Sequence, residues 1–176
     1  MRLAAVLLSI FALVAPAAPA GADAARDFEA AVAAVKKGKR DEALKLVTKA
    51  IDSKEASGRD LADMHYMRAE LYSQAGKLDE SIADYAKTIE IMPDHAPAYH
   101  DRAVIYALQK KYAEALDDLS RAEFLVPKSP LPHFNRGRVY ESMGKKAEAI
   151  AEYRKARALA PRMKEPQEAL RRLGAH

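Results

Sequence analysis

Three arginines and three carboxylates are the residues of this chain best placed to do chemistry. Arg68, Arg102 and Arg136 recur at a fixed interval, and Asp84, Asp118 and Glu152 follow them in step sixteen residues later. A guanidinium is a planar fork of donors that matches a carboxylate, so an arginine ladder alone would grip acidic ligands. The acidic column repeating with it points to a different use, three ion pairs that each tie two helices together. Histidines offer a second possibility. His95 and His100 stand beside Asp94 and Asp101, but their spacing fits no zinc pattern and straddles a helix start, so no metal site is expected. His65 and His133 share a column with Tyr99 and are expected to pack there.

Enzyme signatures are missing. The sequence holds no Gly-rich phosphate loop, nucleophile elbow or helix-borne metal-binding histidine pair, so neither catalysis nor a cofactor is expected. It has no cysteine, which excludes disulfides, thiolate ligands, a thiol nucleophile and a lipid carried on sulfur. The formal net charge is +4, unevenly spread: residues 62–129 hold 8 basic and 12 acidic groups, residues 130–176 hold 11 and 5. The basic third is not interleaved with aromatics as a nucleic-acid stacking platform requires, so a solvated basic face is expected and no nucleic-acid partner.

The elements that position these residues follow from a period. Residues 130–163 read PLPHFNRGRVYESMGKKAEAIAEYRKARALAPRM, and shifting back by 34 residues gives two ungapped copies, 96–129 and 62–95. A looser copy occupies 24–57, with four extra residues after it. Each copy holds two short amphipathic helices. Small residues at Ala69, Ala103 and Gly137, and again at Ser81, Ala115 and Ala149, let antiparallel helices approach to about 8–10 Å between axes. Tyr72, Tyr106 and Tyr140 on the first helix, with Tyr85, Leu119 and Tyr153 on the second, fill the space left. Gly76 and Gly144 mark left-handed helix ends, with Lys110 in the same place between them. Pro93, Pro127 and Pro161 stop the second helices. Asp60 is expected to cap the helix after the extra residues, and Ser129-Pro130 to open the one in the last copy. The first copy has Glu55 where the others have proline, so its second helix is expected to run on by a turn.

With its 34-residue period, small-residue columns (Ala103, Ala115, Ala122; Gly137, Ala149, Ala156), tyrosines and terminal prolines, the chain resembles the tetratricopeptide repeat (TPR) family over residues 24–163. Ser81 and Thr88 depart from the family's alanines. The resemblance implies an all-α, right-handed α-solenoid of four helix pairs that binds protein partners. Residues 164–176 read as a C-terminal capping helix, with Ala169, Leu170 and Leu173 on one stripe and Glu168, Arg171 and Arg172 facing away.

One face of the first helices carries a recurring set: Phe28, Tyr66, His100 and Phe134, then Val32, Glu70, Val104 and Arg138, then Val35, Ser73, Ala107 and Glu141. In the family this face lines a concave groove, and the resemblance implies a partner peptide or helix held by Phe28, Val32, Tyr66, Glu70, His100, Val104, Phe134, Arg138 and Glu141. The rings would instead be core if they packed on a neighbouring second helix. The family's clamp for acidic C-terminal peptides uses Lys and Asn in these columns, and this sequence has neither there. Residues 1–22 have a basic start, an apolar run from Leu3 to Val14 and small residues after it, the layout of a cleaved signal peptide. Cleavage is expected after Ala22 or Ala20, giving an exported, periplasmic protein with no stable membrane insertion. The rival to a groove scaffold is a structural subunit that self-associates through its end repeats as a homo-oligomer.

Overall fold

The computed structural model describes residues 22–175, so the expected signal peptide, apart from Ala22, lies outside the described residues. Nine helices follow in order among them: α1 (Ala22–Lys36), α2 (Arg40–Asp52), α3 (Gly58–Gln74), α4 (Leu78–Ile91), α5 (Ala96–Leu108), α6 (Tyr112–Leu125), α7 (Leu131–Ser142), α8 (Lys146–Leu159) and α9 (Lys164–Arg172). They form a right-handed α-solenoid in which α1 pairs with α2, α3 with α4, α5 with α6 and α7 with α8, and α9 caps the stack.

Each pair turns on the same device. Gly76, Lys110 and Gly144 take φ of 74°, 60° and 74°. The next amide then reaches back to the carbonyl five residues earlier, as in Lys77 to Tyr72 (2.9 Å), Lys111 to Tyr106 (2.9 Å) and Lys145 to Tyr140 (2.8 Å). Acidic residues in the following first turn (Asp79 and Glu80, Glu114, Glu148) favour the helix N-terminus electrostatically.

The small columns are the core of the stack. Ala43, Ala50, Ala69, Ala103, Ala115, Ala122, Ala149 and Ala156 are all buried. The role of Gly137 is steric: a Cβ there would stand 2.5 Å from Cε1 of Tyr153, so the absent methyl is the slot for that ring. Ser81 and Thr88 are fully buried but satisfied, Ser81 Oγ donating to the Ala69 carbonyl (2.9 Å) and Thr88 Oγ1 bonded to the carbonyls of Ala62 (3.3 Å) and Asp84 (3.1 Å). A buried hydroxyl with a partner costs little, which is how the second copy tolerates them.

Three boundaries differ from expectation. Helix α3 begins at Gly58, not after Asp60, because Ser57 is extended and Gly58 takes φ 55°, turning the chain into the helix three residues early. Helix α2 does not run on: Lys54 takes φ 59° and stops it without a proline. Helix α7 opens at Leu131, whose amide donates to Ser129 Oγ at 3.3 Å, with Pro130 already helical in conformation. The cap matches its stripe: Ala169 and Leu170 are buried beside Ala149 and Tyr153, while Glu168, Arg171 and Arg172 are exposed.

Candidate partner-binding groove

The arginine and carboxylate columns form ion pairs within each repeat. Arg68 grips Asp84 through Nε (2.6 Å) and Nη2 (2.8 Å), and Arg102 grips Asp118 the same way at 2.8 and 2.8 Å. Arg136 is shared: Nη1 reaches Glu152 at 3.2 Å and Nη2 reaches Glu123 of the preceding repeat at 2.7 Å. The packed histidines complete two of these clusters. His65 Nδ1 lies 2.8 Å from Asp84, and His133 Nδ1 lies 2.8 Å from Glu152. Burial pushes the Asp84 carboxyl up, but the bonds from Arg68 and His65 outweigh it and hold it below its ordinary range. At Asp118 burial wins over Arg102, because Tyr99 stands where a histidine would add a second bond, and the carboxyl is raised. Glu152 is held low against burial by Lys155, His133 and Arg136. These carboxylates are therefore committed to joining helices.

The first-helix face carries a second network, running across the repeats. The Tyr66 hydroxyl donates to Asp101 Oδ2 at 2.5 Å, and Asp101 Oδ1 meets His100 Nδ1 at 2.8 Å. His100 Nε2 then pairs with Asn135 Nδ2 at 2.6 Å, and Arg138 Nη1 donates to Asn135 Oδ1 at 3.4 Å. Both links between repeats span 35 positions, one more than the period. Burial, with Asp101 second, raises the Tyr66 hydroxyl above its ordinary range. Asp101 and Asn135 were not anticipated from the sequence, although the 35-residue offset between complementary donors and acceptors is the signal that marks them.

The expected groove residues divide between packing and openness. Phe28, Tyr66, His100 and Phe134 are each half-buried. Tyr66 stacks on Tyr85 (5.7 Å between centroids) and on His95 (4.9 Å), and Phe134 stacks on Tyr153 (5.7 Å). Tyr66 and Phe134 thus bury one side of the ring on their own repeat's second helix, so these two are part of the helix packing as well as of the face. Phe28 packs on the first core cluster and also lines a cleft of about 400 Å³ with Met64 and Asp60. Val32 is half-buried on α1. Tyr66, His100 and Asp101 share a second cleft of about 400 Å³ with Pro97, Val126 and Leu131. Between α3 and α5 a cleft of about 180 Å³ is lined by Glu70, Ser73, Asp101 and Val104. Between α5 and α7 one of about 100 Å³ is lined by Val104, Ala107, Leu108, Arg138 and Val139. Glu141 is taken by the cap, accepting from Tyr153 Oη (2.8 Å) and from Arg172 Nη2 (2.8 Å).

The two aspartate–histidine neighbours do not converge. His95 Nδ1 accepts the Ala98 amide at 3.1 Å as an N-cap, while His100 is engaged by Asp101 and Asn135. Among the described residues no group of three or more His, Cys, Asp or Glu is placed to hold a metal ion, and no helix is long and apolar enough to cross a membrane.

Stacked helix pairs with one face of clefts and open side chains define a protein-interaction scaffold. Two family models described as tetratricopeptide repeat match residues 60–123 and 130–163. The chain belongs to the tetratricopeptide repeat family. No curated protein matches the sequence. Among solved structures it is similar to MamA from Desulfovibrio magneticus RS-1 (residues 41 to the end), with TM-score 0.78 and 17% identity over 88% of this chain and 85% of that one. YrrB, described as a TPR protein with an unusual peptide-binding site, gives 0.77 and 18% over 87% and 76%. The first TPR of Spaghetti (RPAP3), bound to the HSP90 peptide SRMEEVD, gives 0.61 and 27% over 64% and 90%.

Proposed function

We propose that this chain is a non-enzymatic scaffold of the cell envelope that, after export, receives a partner peptide or helix along the face of α1, α3, α5 and α7. The observation that carries this reading is one column of residues. Glu70, Val104 and Arg138 occupy the same position on three successive first helices and line the clefts between them. By contrast, the buried carboxylates Asp84, Asp118, Glu152 and Asp27 are spent on ion pairs with Arg68, Arg102, Arg136 and Lys49, as suits a scaffold better than a catalyst. Peptide capture by YrrB and by the Spaghetti TPR supports the same use of the fold. The layout of residues 1–22 supports export.

Two measurements test it. Co-purification from the native envelope fraction should recover a partner with the wild-type chain and lose it with Glu70→Ala/Arg138→Ala, while Lys87→Ala/Arg154→Ala on the second helices keeps it. Equal recovery by both double variants contradicts the groove. N-terminal sequencing of protein from native cells should start near Gly21 or Asp23, and a cytoplasmic chain starting at Met1 contradicts export.

A further inference from the structure

The column that lines the groove is chemically graded. Glu70 on α3 is acidic, Val104 on α5 is apolar and Arg138 on α7 is basic, one repeat apart each time. Glu70 is exposed, and among the described residues it has no hydrogen-bond or ion-pair partner. It faces Asp101, whose two oxygens are already shared between Tyr66 and His100. Where it faces α5, Glu70 gives up part of its surrounding water, which raises its carboxyl above the ordinary range, and the Asp101 charge adds to that. A cation beside Glu70 offsets both effects by stabilising the charged carboxylate.

The middle of the column is apolar. Val104, Ala107, Val139 and the 63% exposed Leu108 wall the cleft of about 100 Å³ between α5 and α7. That volume suits one aliphatic side chain. At the far end Arg138 is exposed, and the one hydrogen bond its guanidinium makes among the described residues is the 3.4 Å contact with Asn135. The nearby Glu141 does not neutralise it through an ion pair, because Arg172 holds that carboxylate. Arg138 is therefore available to a carboxylate from outside.

We propose that the occupant of this groove is an extended peptide segment presenting a basic side chain at Glu70, an aliphatic side chain at Val104 and an acidic group at Arg138. This rests on the groove reading above and names its partner's chemistry. Successive first helices are separated by the clefts they line, so their spacing is at or just above the about 8–10 Å of directly packed axes, and two steps across them cover roughly 20 Å. An extended chain rising about 3.3 Å per residue spans that in about six residues. A segment with like charges at both ends meets repulsion at one of them, which gives selectivity without added contact area.

Fluorescence anisotropy with three capped synthetic heptapeptides tests this. Each has Gly/Ser spacers and a central Leu, and the first and last positions are Arg and Glu, Arg and Arg, or Glu and Glu. The mixed peptide should bind wild type about three- to tenfold tighter than either uniform one. Glu70→Arg should move the preference to the Glu/Glu peptide, and Arg138→Glu to the Arg/Arg peptide. Both positions are exposed, so the fold should persist, and circular dichroism would check that. The same order of affinity in all three proteins, or no binding of any peptide, overturns the proposal. Ser142→Trp, a bulky group on the cleft wall, separates the two levels. Binding lost in Ser142→Trp but blind to the charge variants overturns the charge assignment and keeps the groove; binding unchanged in Ser142→Trp overturns both.

Discussion

The Tyr66 hydroxyl donates to Asp101 Oδ2 at 2.5 Å, tying α3 to α5 across two repeats while the same ring lies against Tyr85 and His95. An aromatic on the groove face is thus also a joint of the solenoid. Tyr66→Ala should lose about 2 kcal/mol, below the range for a fully buried aromatic because Tyr66 is only half-buried. Tyr66→Phe should lose about 1 kcal/mol, keeping the ring contacts and removing the bond to Asp101. Urea melts measure both. A neutral Tyr66→Ala would show that the ring is not part of the joint.

Gly137→Ala should destabilise by about 1–3 kcal/mol, because its methyl would enter the Tyr153 ring. The third copy solves the same contact with Ala103 and Leu119. Gly137→Ala/Tyr153→Leu should therefore be less destabilised than the sum of its single variants, and a double-mutant cycle in urea reads the coupling. Simple additivity would place the two residues out of contact.

Lys110 holds φ 60°, where its copies on either side use glycine. Lys110→Gly should stabilise the chain by up to about 1 kcal/mol, since the left-handed backbone strains any residue with a Cβ. A lower denaturation midpoint for the variant would contradict that reading of the turn.

Asp84 and Asp118 should respond oppositely to acid. The folded-state value of Asp84 is depressed, so its stabilisation is full above the unfolded carboxylate range, near 3.8, and is lost as pH falls through the folded value. Asp118 is raised, so protonation on acidification favours its folded form. His65→Tyr puts into the second copy the residue that Tyr99 supplies in the third. It should move Asp84 upward, as read by carboxyl carbon NMR titration. An unchanged Asp84 titration would show that His65 does not hold the charge.

Much of this molecule is legible in its sequence because the repeat writes each contact several times. The small columns, the left-handed Lys110 and the arginine–carboxylate pairs all fall within nineteen residues inside one copy, where helix periodicity alone sets the geometry. Boundaries that occur once were less legible: Lys54 ends α2 by a backbone conformation that no residue type announces. The Tyr66–Asp101 and His100–Asn135 links are not legible in the sequence because they depend on how one repeat docks on the next, which packing decides. The groove columns are legible by their phase, but the division into half-buried rings and open Glu70 and Arg138 is set by packing between helices.

The central claim is that partners occupy the first-helix face, and site-specific photocrosslinking in native cells tests it most directly. A benzophenone side chain placed singly at Glu70 or Arg138 should yield an adduct with the same partner protein, while probes at the exposed Lys87 and Arg154 on the second helices should yield none. Adducts confined to Lys87 and Arg154, or only dimers of this chain from every position, would contradict the groove and favour self-association instead.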